Sequence, residues 1–284
     1  MATLLDIRHR IRSIKSTQQI TRAMKMVAAA RLRRAQDRIF NARPYANEML
    51  AVLGSVAART EERAHPLLAE RPIEKVLLVL VTSDRGMCGA FNANLIRAAK
   101  DHLRGPAGKE VLLLAVGRKG RDAFRKQPVP MVAEHINLFG RLEFSQAQQV
   151  AQEICRLYIE QKVDAVDFLY NEFKSVMTQR VTVERYLPIK PVQPAAGEAL
   201  IDYIYEQPAP EILNALLPRY VEIEVYRALL ESQAAELAAK MTAMDAATNN
   251  AAELIDSLSL HLNRVRQAAI TREIIEVVSG AAAT

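Results

Sequence analysis

One loop carries the groups best placed for chemistry. Thr82-Ser-Asp-Arg-Gly-Met-Cys-Gly-Ala-Phe-Asn92 follows an apolar run, where doubly wound folds bind nucleotide phosphates. Its glycines are not spaced as GxGxxG or GxxxxGK[ST]. Gly117-Arg-Lys-Gly120, after a second apolar run, also lacks the Lys-Ser/Thr pair of a phosphate loop. Without those groups there is neither a magnesium ligand nor a close cradle for phosphate, so the residues favour a tight turn stabilised by Gly86 and Gly89. Cys88 beside Arg85 is open to two readings, a thiol with a lowered pKa or a structural one, and the structural one is favoured. His9, His65, His102, His135 and His261 are scattered and suggest neither a metal site nor a triad. No carboxylate pair presents itself for acid/base work. The residues predict no catalytic, cofactor or metal site, and point to a protein whose long helices do the work.

Those helices lie at the two ends of the chain. Arg219 to Ser279 contains no Pro and no Gly, a run of 61 residues that as one helix spans roughly 90 Å. Apolar or small residues recur there in alternating steps of four and three: Leu230, Ala234, Leu237, Met241, Met244, Thr248, Ala251, Ile255, Leu258, Leu262, Val265, Ala269. That heptad seam marks a coiled coil. Near the N-terminus a matching seam runs Ile7, Ile11, Ile14, then Ala28, Leu32, Ala35, Ile39 and on to Val56. Between its halves the seam positions Gln18, Thr21 and Lys25 are polar, and the apolar set slides to Ile20, Met24 and Val27. Such a slip predicts a seam that is interrupted there or turned toward something else. Pro44 is expected to kink this helix without ending it, and Pro218 to break or bend the C-terminal one.

Between the helices the period changes. Val76–Val81 and Val111–Val116 are continuous apolar runs of strand length. Val129–Ala133 is a possible third strand. Ala165–Phe173 and Met177–Leu187, joined by Lys174-Ser-Val176, predict an antiparallel hairpin. Phe91–Leu103, Lys119–Lys126 and Phe144–Gln161 read as helices. The expected architecture is a long antiparallel α-helical coiled coil of residues 1–59 and 208–284, forming a shaft, with a Rossmann-like, mostly parallel five-stranded α/β domain inserted at 72–195.

Charge is unevenly placed. The chain carries +6, but residues 1–60 hold 12 Lys+Arg against 3 Asp+Glu, while residues 209–284 hold 6 against 10. A basic helix beside an acidic one favours antiparallel pairing, and the surplus predicts an acidic partner. Arg8, Arg12, Lys15 and Arg22 share a face, which fits either a solvated surface or a stripe meeting acidic loops of an assembly. Cys88 and Cys155 form no disulfide framework, as expected in a reducing, cytoplasmic setting. No apolar run is long enough to cross a bilayer, and the heptads from Ile7 onward leave no room for a signal peptide.

Ile20-Thr-Arg-Ala-Met-Lys-Met-Val-Ala-Ala-Ala30 with Leu32-Arg-Arg-Ala-Gln36, the loop Ser83–Asn92, and Asn263–Ala281 resemble three signatures of the gamma subunits of F-type ATP synthases, bacterial type. With Glu231-Ser232, Met241, Met244 and Asn249-Asn250 the likeness runs the length of the chain. One departure is Lys240, where the family often has Arg; the bidentate fork is lost there. The resemblance implies a non-catalytic rotating central stalk that couples proton flow through a membrane ring of c subunits to ATP synthesis and hydrolysis at beta subunits. It implies termini inserted into a hexamer of alpha and beta subunits, and an α/β domain near epsilon and the c ring. It places the chain on the cytoplasmic face of the bacterial membrane, as a peripheral protein without direct membrane insertion, with no cofactor and no nucleic acid. From it and the slipped seam, Arg22, Met24, Lys25, Arg266 and Gln267 are expected to contact beta, and Tyr203 and Tyr205 to contact epsilon and the c ring. The competing readings are a nucleotide-binding α/β protein with a coiled-coil arm, and a basic coiled coil that binds nucleic acid. The first lacks phosphate signatures, and the second leaves the acidic C-terminal helix unexplained.

Overall fold

The structure, a computed structural model, describes residues 4–57, 65–104, 110–189 and 208–282. In chain order the elements are α1 (Leu4–Ala57), β1 (Lys75–Val81), α2 (Phe91–Leu103), β2 (Glu110–Val116), α3 (Arg118–Phe124), β3 (Met131–His135), α4 (Phe144–Ile159), β4 (Ala165–Phe173), β5 (Gln179–Leu187) and α5 (Ala209–Ala282). They divide into two compact units, Met1–Ala29 with Lys240–Thr284, and Ala30–Ala239.

The first unit is an antiparallel helix pair. Thr21 Oγ1 lies 2.8 Å from Thr248 Oγ1, and Lys25 Nζ donates to Asp245 Oδ1 at 2.5 Å. Both helices are unbroken, so these two bonds set the register for the rest: Ile14 lies opposite Ile255, Ile11 opposite Leu258, and Ile7 opposite Leu262. Ile7 and Ala251 are buried and the others half-buried. The expected slip of the seam does not occur. Gln18, Thr21 and Lys25 keep the four-three stripe, while Ile20 and Val27 are 57% and 54% exposed. A slip would turn Thr21 and Lys25 away from Thr248 and Asp245. The polar layer is satisfied across the pair, so the register holds.

The second unit is built on a five-stranded sheet of order β3-β2-β1-β4-β5. β1 pairs parallel with β2 and β4, and β5 runs antiparallel to β4. β1 is central, and from Val76 to Val81 every residue is buried, as its apolar run requires. The right-handed crossover rule puts α2 and α3 on one face and α4 on the other. Side chains agree: His102 of α2 reaches Asp167 of β4, whereas Tyr186 Oη of β5 donates to the Glu224 carbonyl of α5. β5 begins at Gln179, not Met177, because Ser175 and Thr178 bond each other and close a longer turn.

α5 crosses this unit as its innermost helix. It is continuous through Pro218 rather than broken there. Leu213, Leu217 and Val221, one turn apart, are each 1% exposed. Their burial offsets the ~3 kcal/mol that an interior proline costs. α1 likewise continues through Pro44. From Val221 to Ala238 only Tyr226 and Arg227 are even partly exposed. A heptad stripe predicts one buried side; this segment is buried all round, against α4 through Phe144 and Tyr226 and against β5 through Glu224. Its burial includes Glu222, Glu224, Glu231, Gln233 and Glu236. Arg227 bridges Glu224 and Glu184, and Tyr170 Oη donates to Glu184. Burial pushes the Glu224 carboxyl up, against the pull of Arg227.

Two outcomes test this architecture. In a double-mutant cycle of Ile14→Ala and Ile255→Ala, thermal or urea unfolding should show a coupling of at least ~0.5 kcal/mol; strict additivity would show that the two do not touch. Asp167 is 4% exposed; burial alone would raise its pKa, but bonds from His102 and Arg185 together bring it below the ordinary value. A depressed carboxyl stabilises the fold above its unfolded pKa, and that contribution is lost as pH falls through the folded value. The stability gap between the native chain and Asp167→Asn should therefore be about 2 kcal/mol at neutral pH and shrink below pH 3.8. A gap that stays constant on acidification would contradict the assignment.

Candidate functional site

Doubly wound sheets bind ligands at the carboxyl ends of their parallel strands, and the loop Thr82–Asn92 leaves β1 there. In this chain the crevice is filled from within. The backbone N–H groups of Arg118 and Asn137 both donate to Asp84 Oδ1, at 3.1 and 2.7 Å. Lys119 N–H donates to the Ser83 carbonyl, and Gly120 N–H to Thr82 Oγ1 at 2.8 Å. The first three N–H groups of α3 are consumed by the β1 loop, so no anion can cap that helix.

Two backbone constraints hold the loops this close. Gly117 adopts φ +92°, and a Cβ there would come within 2.0 Å of the Thr82 carbonyl oxygen. Asn92 accepts from the Ser83 N–H and donates to Ser83 Oγ and Cys88 Sγ. Cys88 is buried in that network while Arg85 is exposed, so the structural reading of the thiol holds. Cys155 is also buried, and burial with nearby Glu222 pushes its thiol up to about 12. Three of the histidines do structural work: His65 Nδ1 accepts from the Leu67 N–H, His135 pairs with Glu153 at 2.9 Å, and His102 pairs with Asp167. Among the described residues no cluster of His, Cys, Asp or Glu is arranged to hold a metal ion.

The remaining sequence-derived site residues lie on the helix pair. Arg22, Arg266 and Gln267 are exposed; Met24 is half-buried. Lys25 is engaged within the pair by Asp245. The structure does not bring the two groups together: in the observed register Arg266 lies about 19 residues along the axis from Arg22, roughly 30 Å. Tyr203 and Tyr205 lie outside the described residues. Sequence reasoning missed Asp84, whose partners come from two other loops, and Asp245, whose only signal was its step beside Met244. It also missed the end of α5. The described part of α1 begins opposite Val265, and α5 runs on to Ala282 with Ile270, Ile274, Val277 and Val278 exposed along one stripe, about 240 Å³ of open groove between them and Glu273.

A long helix pair and an α/β domain gripping one of its helices define a stalk-type architecture. Comparison with known proteins agrees. Residues 3–284 match the family described as ATP synthase. The chain is 53% identical to the ATP synthase gamma chain of Solibacter usitatus, covering 100% of this chain and 99% of that one. It is 50% identical to the ATP synthase gamma chain of Desulfitobacterium hafniense, with the same coverage. Its fold resembles the central stalk of the Tetrahymena thermophila mitochondrial ATP synthase, with TM-score 0.62 and 27% identity over 80% of this chain and 99% of that one. A chain of the Euglena gracilis mitochondrial enzyme, at TM-score 0.68 and 20% identity over 99% of this chain and 94% of that one, shares the fold. This chain belongs to the ATP synthase gamma-chain family, and is a stalk subunit rather than a catalytic one.

The plug makes a direct prediction. Asp84→Ala removes the acceptor for two backbone N–H groups and should destabilise the α/β unit by ~1–2 kcal/mol, read from urea unfolding. The native chain should retain no ATP in equilibrium dialysis. Retention of ATP by the native chain, or an Asp84→Ala chain as stable as the parent, would show that the crevice is open.

Proposed function

We propose that this chain is the rotor shaft that carries torque between a membrane ring of c subunits and the catalytic beta subunits, with its two termini inside the alpha–beta hexamer and its α/β unit toward epsilon and the ring. The observation that supports this orientation best is the end of α5. An apolar stripe beyond the described part of its partner helix is unfavourable in water, by roughly 25 cal/mol for each Å² left uncovered. It calls for a surrounding protein wall. The setting is the cytoplasmic face of the bacterial membrane, held there through the complex; no helix among the described residues is long and apolar enough to cross a membrane.

Contact with beta falls at two heights. Arg22 and Met24 form the lower site, Arg266 and Gln267 the upper one. Lys25 joins the lower site by exchanging Asp245 for an acidic group of beta. Both members of that ion pair are over a third exposed, so leaving it costs only ~0–1 kcal/mol. Weak, polar contacts suit a shaft that must meet three similar partners in turn. Tyr203 and Tyr205 carry the contact with epsilon and the c ring, as amphipathic side chains suited to partly wet surfaces.

Replacing Arg266 and Gln267 together by Ala should leave the melting temperature of the chain and its co-assembly with alpha and beta unchanged, and lower ATP turnover of the complex several-fold. Normal turnover and normal coupling in a fully assembled variant would mean that these residues pass no force.

A further inference from the structure

Between Val221 and Ala238 α5 is enclosed on every side, and enclosure by itself does not fix which way the helix faces. In the upper half of this segment small and apolar residues come in doublets: Leu229-Leu230, Ala234-Ala235 and Ala238-Ala239. A screw of one residue, about 1.5 Å along the axis and about 100° around it, puts Leu for Leu and Ala for Ala at these positions. Apolar packing there discriminates poorly between the two settings. The lower half is not degenerate, because it holds charges. The same step would bring Val225 to the place of Glu224 and Ala228 to the place of Arg227.

Arg227 joins the helix to the sheet. Its Nε and Nη2 donate to Glu224 Oε2 within the helix, at 3.0 and 2.6 Å, and Nη2 also reaches Glu184 Oε2 on β5 at 3.4 Å. The sheet's side of the contact is held in turn. Tyr170 Oη, on a buried ring, donates to the same oxygen of Glu184 at 3.0 Å, and Tyr186 Oη donates to the Glu224 carbonyl at 3.2 Å. A guanidinium steadied by its own helix is thereby aimed at one carboxylate of β5. A planar fork has a direction, which an apolar contact lacks. Gln148 and Gln233 add bonds to α4 and to the Phe139 carbonyl, through amides on flexible stems.

We propose that Arg227 is a positioning residue for torque: by tying Glu224 of α5 to Glu184 of β5 it fixes the angle at which α5 sits against the sheet, so that sheet and helix turn as one. This rests on the stalk reading, which makes α5 the shaft. The network adds little stability, because a buried ion pair exchanged for neutral groups of similar volume is near neutral or stabilising. What it adds is a choice between two settings that the packing of the upper half leaves nearly equal.

The test compares the native chain with Glu224→Gln/Arg227→Met, which removes both charges of the buried pair and strands neither. Spin labels go on exposed positions of the two elements, through Arg180→Cys on β5 and Asn214→Cys on α5; the chain's own Cys88 and Cys155 are buried. The native background should give one narrow distance. The Glu224→Gln/Arg227→Met background should add a second population, since a turn of about 100° moves a side-chain tip on a helix ~10 Å across by roughly 8 Å. Its melting temperature should stay close to the parent's. A single unchanged distance overturns the inference, and so does a melting temperature that drops steeply, which would make Arg227 merely structural. In the complex assembled with alpha, beta, epsilon and the c ring, ATP-driven proton pumping should fall several-fold relative to ATP hydrolysis. Pumping that keeps pace with hydrolysis in a variant showing both distances would remove the torque role. Failure of the native chain to assemble with alpha and beta would instead sink the stalk reading, and would leave the angle-fixing role to the distances.

Discussion

A helix of 74 residues must have its apolar surface covered along its length, and α5 meets that demand in three ways. From Val221 to Ala238 the α/β unit and α1 cover it on all sides. From Met241 to Val265 α1 covers one stripe. Beyond Val265 no described residue of α1 lies opposite it. The rest of the molecule follows from these three regimes. Complete burial tolerates small and apolar residues all round, as in Ala228-Leu-Leu230 and Ala234-Ala235. Burial of one stripe demands a heptad. Where no described residue covers α5, the proposed stalk supplies a wall of other subunits.

Complete burial would make α5 a poor lever if it were held by apolar packing alone, because apolar contacts resist separation far more than sliding or turning. The polar groups supply direction. Arg227 lies between Glu184 on the sheet and Glu224 on its own helix, Gln148 on α4 donates to Glu222, and Gln233 donates to the Phe139 carbonyl. Buried ion pairs of this kind add little net stability, since desolvation offsets most of their attraction. Their geometry is what they contribute: the helix cannot rotate against the sheet without breaking several bonds at once.

Much of this was legible in the sequence, for definite reasons. Val76–Val81 is apolar at every position, and only a strand buried on both faces is that short and that uniform. The seam from Met241 to Ala269 was legible because heptad spacing depends on residue type alone. The middle of the α1 seam was misread because Gln18, Thr21 and Lys25 look unsuited to a seam on one helix; what satisfies Thr21 and Lys25, Thr248 and Asp245, lies 220 or more residues away. The buried glutamates of α5 were illegible because their burial depends on the whole α/β unit. Glu is seldom buried without a partner, and here Glu222 is held by Gln148 of α4 and Arg219, and Glu224 by Arg227 of the same helix. In the crevice the location was readable from the loop after β1, but its filling was not: Asp84 is an ordinary loop aspartate until α3 and the β3–α4 loop are folded against it.

Filling the crevice also explains how a Rossmann-like sheet can serve as a mechanical part. In a ligand-binding relative of the fold, the loops at the carboxyl ends of the strands must part to admit a phosphate, and the helix N-terminus must be free to receive it. Such loops are compliant by necessity. Here Thr82, Ser83 and Asp84 occupy the α3 N–H groups permanently, and Asp84 ties the β3–α4 loop to them through Asn137. That same loop continues to Phe139, whose carbonyl receives Gln233 of α5, and to Leu142, whose carbonyl receives Arg38 of α1. One internal carboxylate thus links the first strand to the two long helices through a short chain of directional bonds. An exchangeable ligand in its place would loosen the domain's hold on α5 with every release, so a permanent internal carboxylate contributes rigidity that a stalk subunit can use.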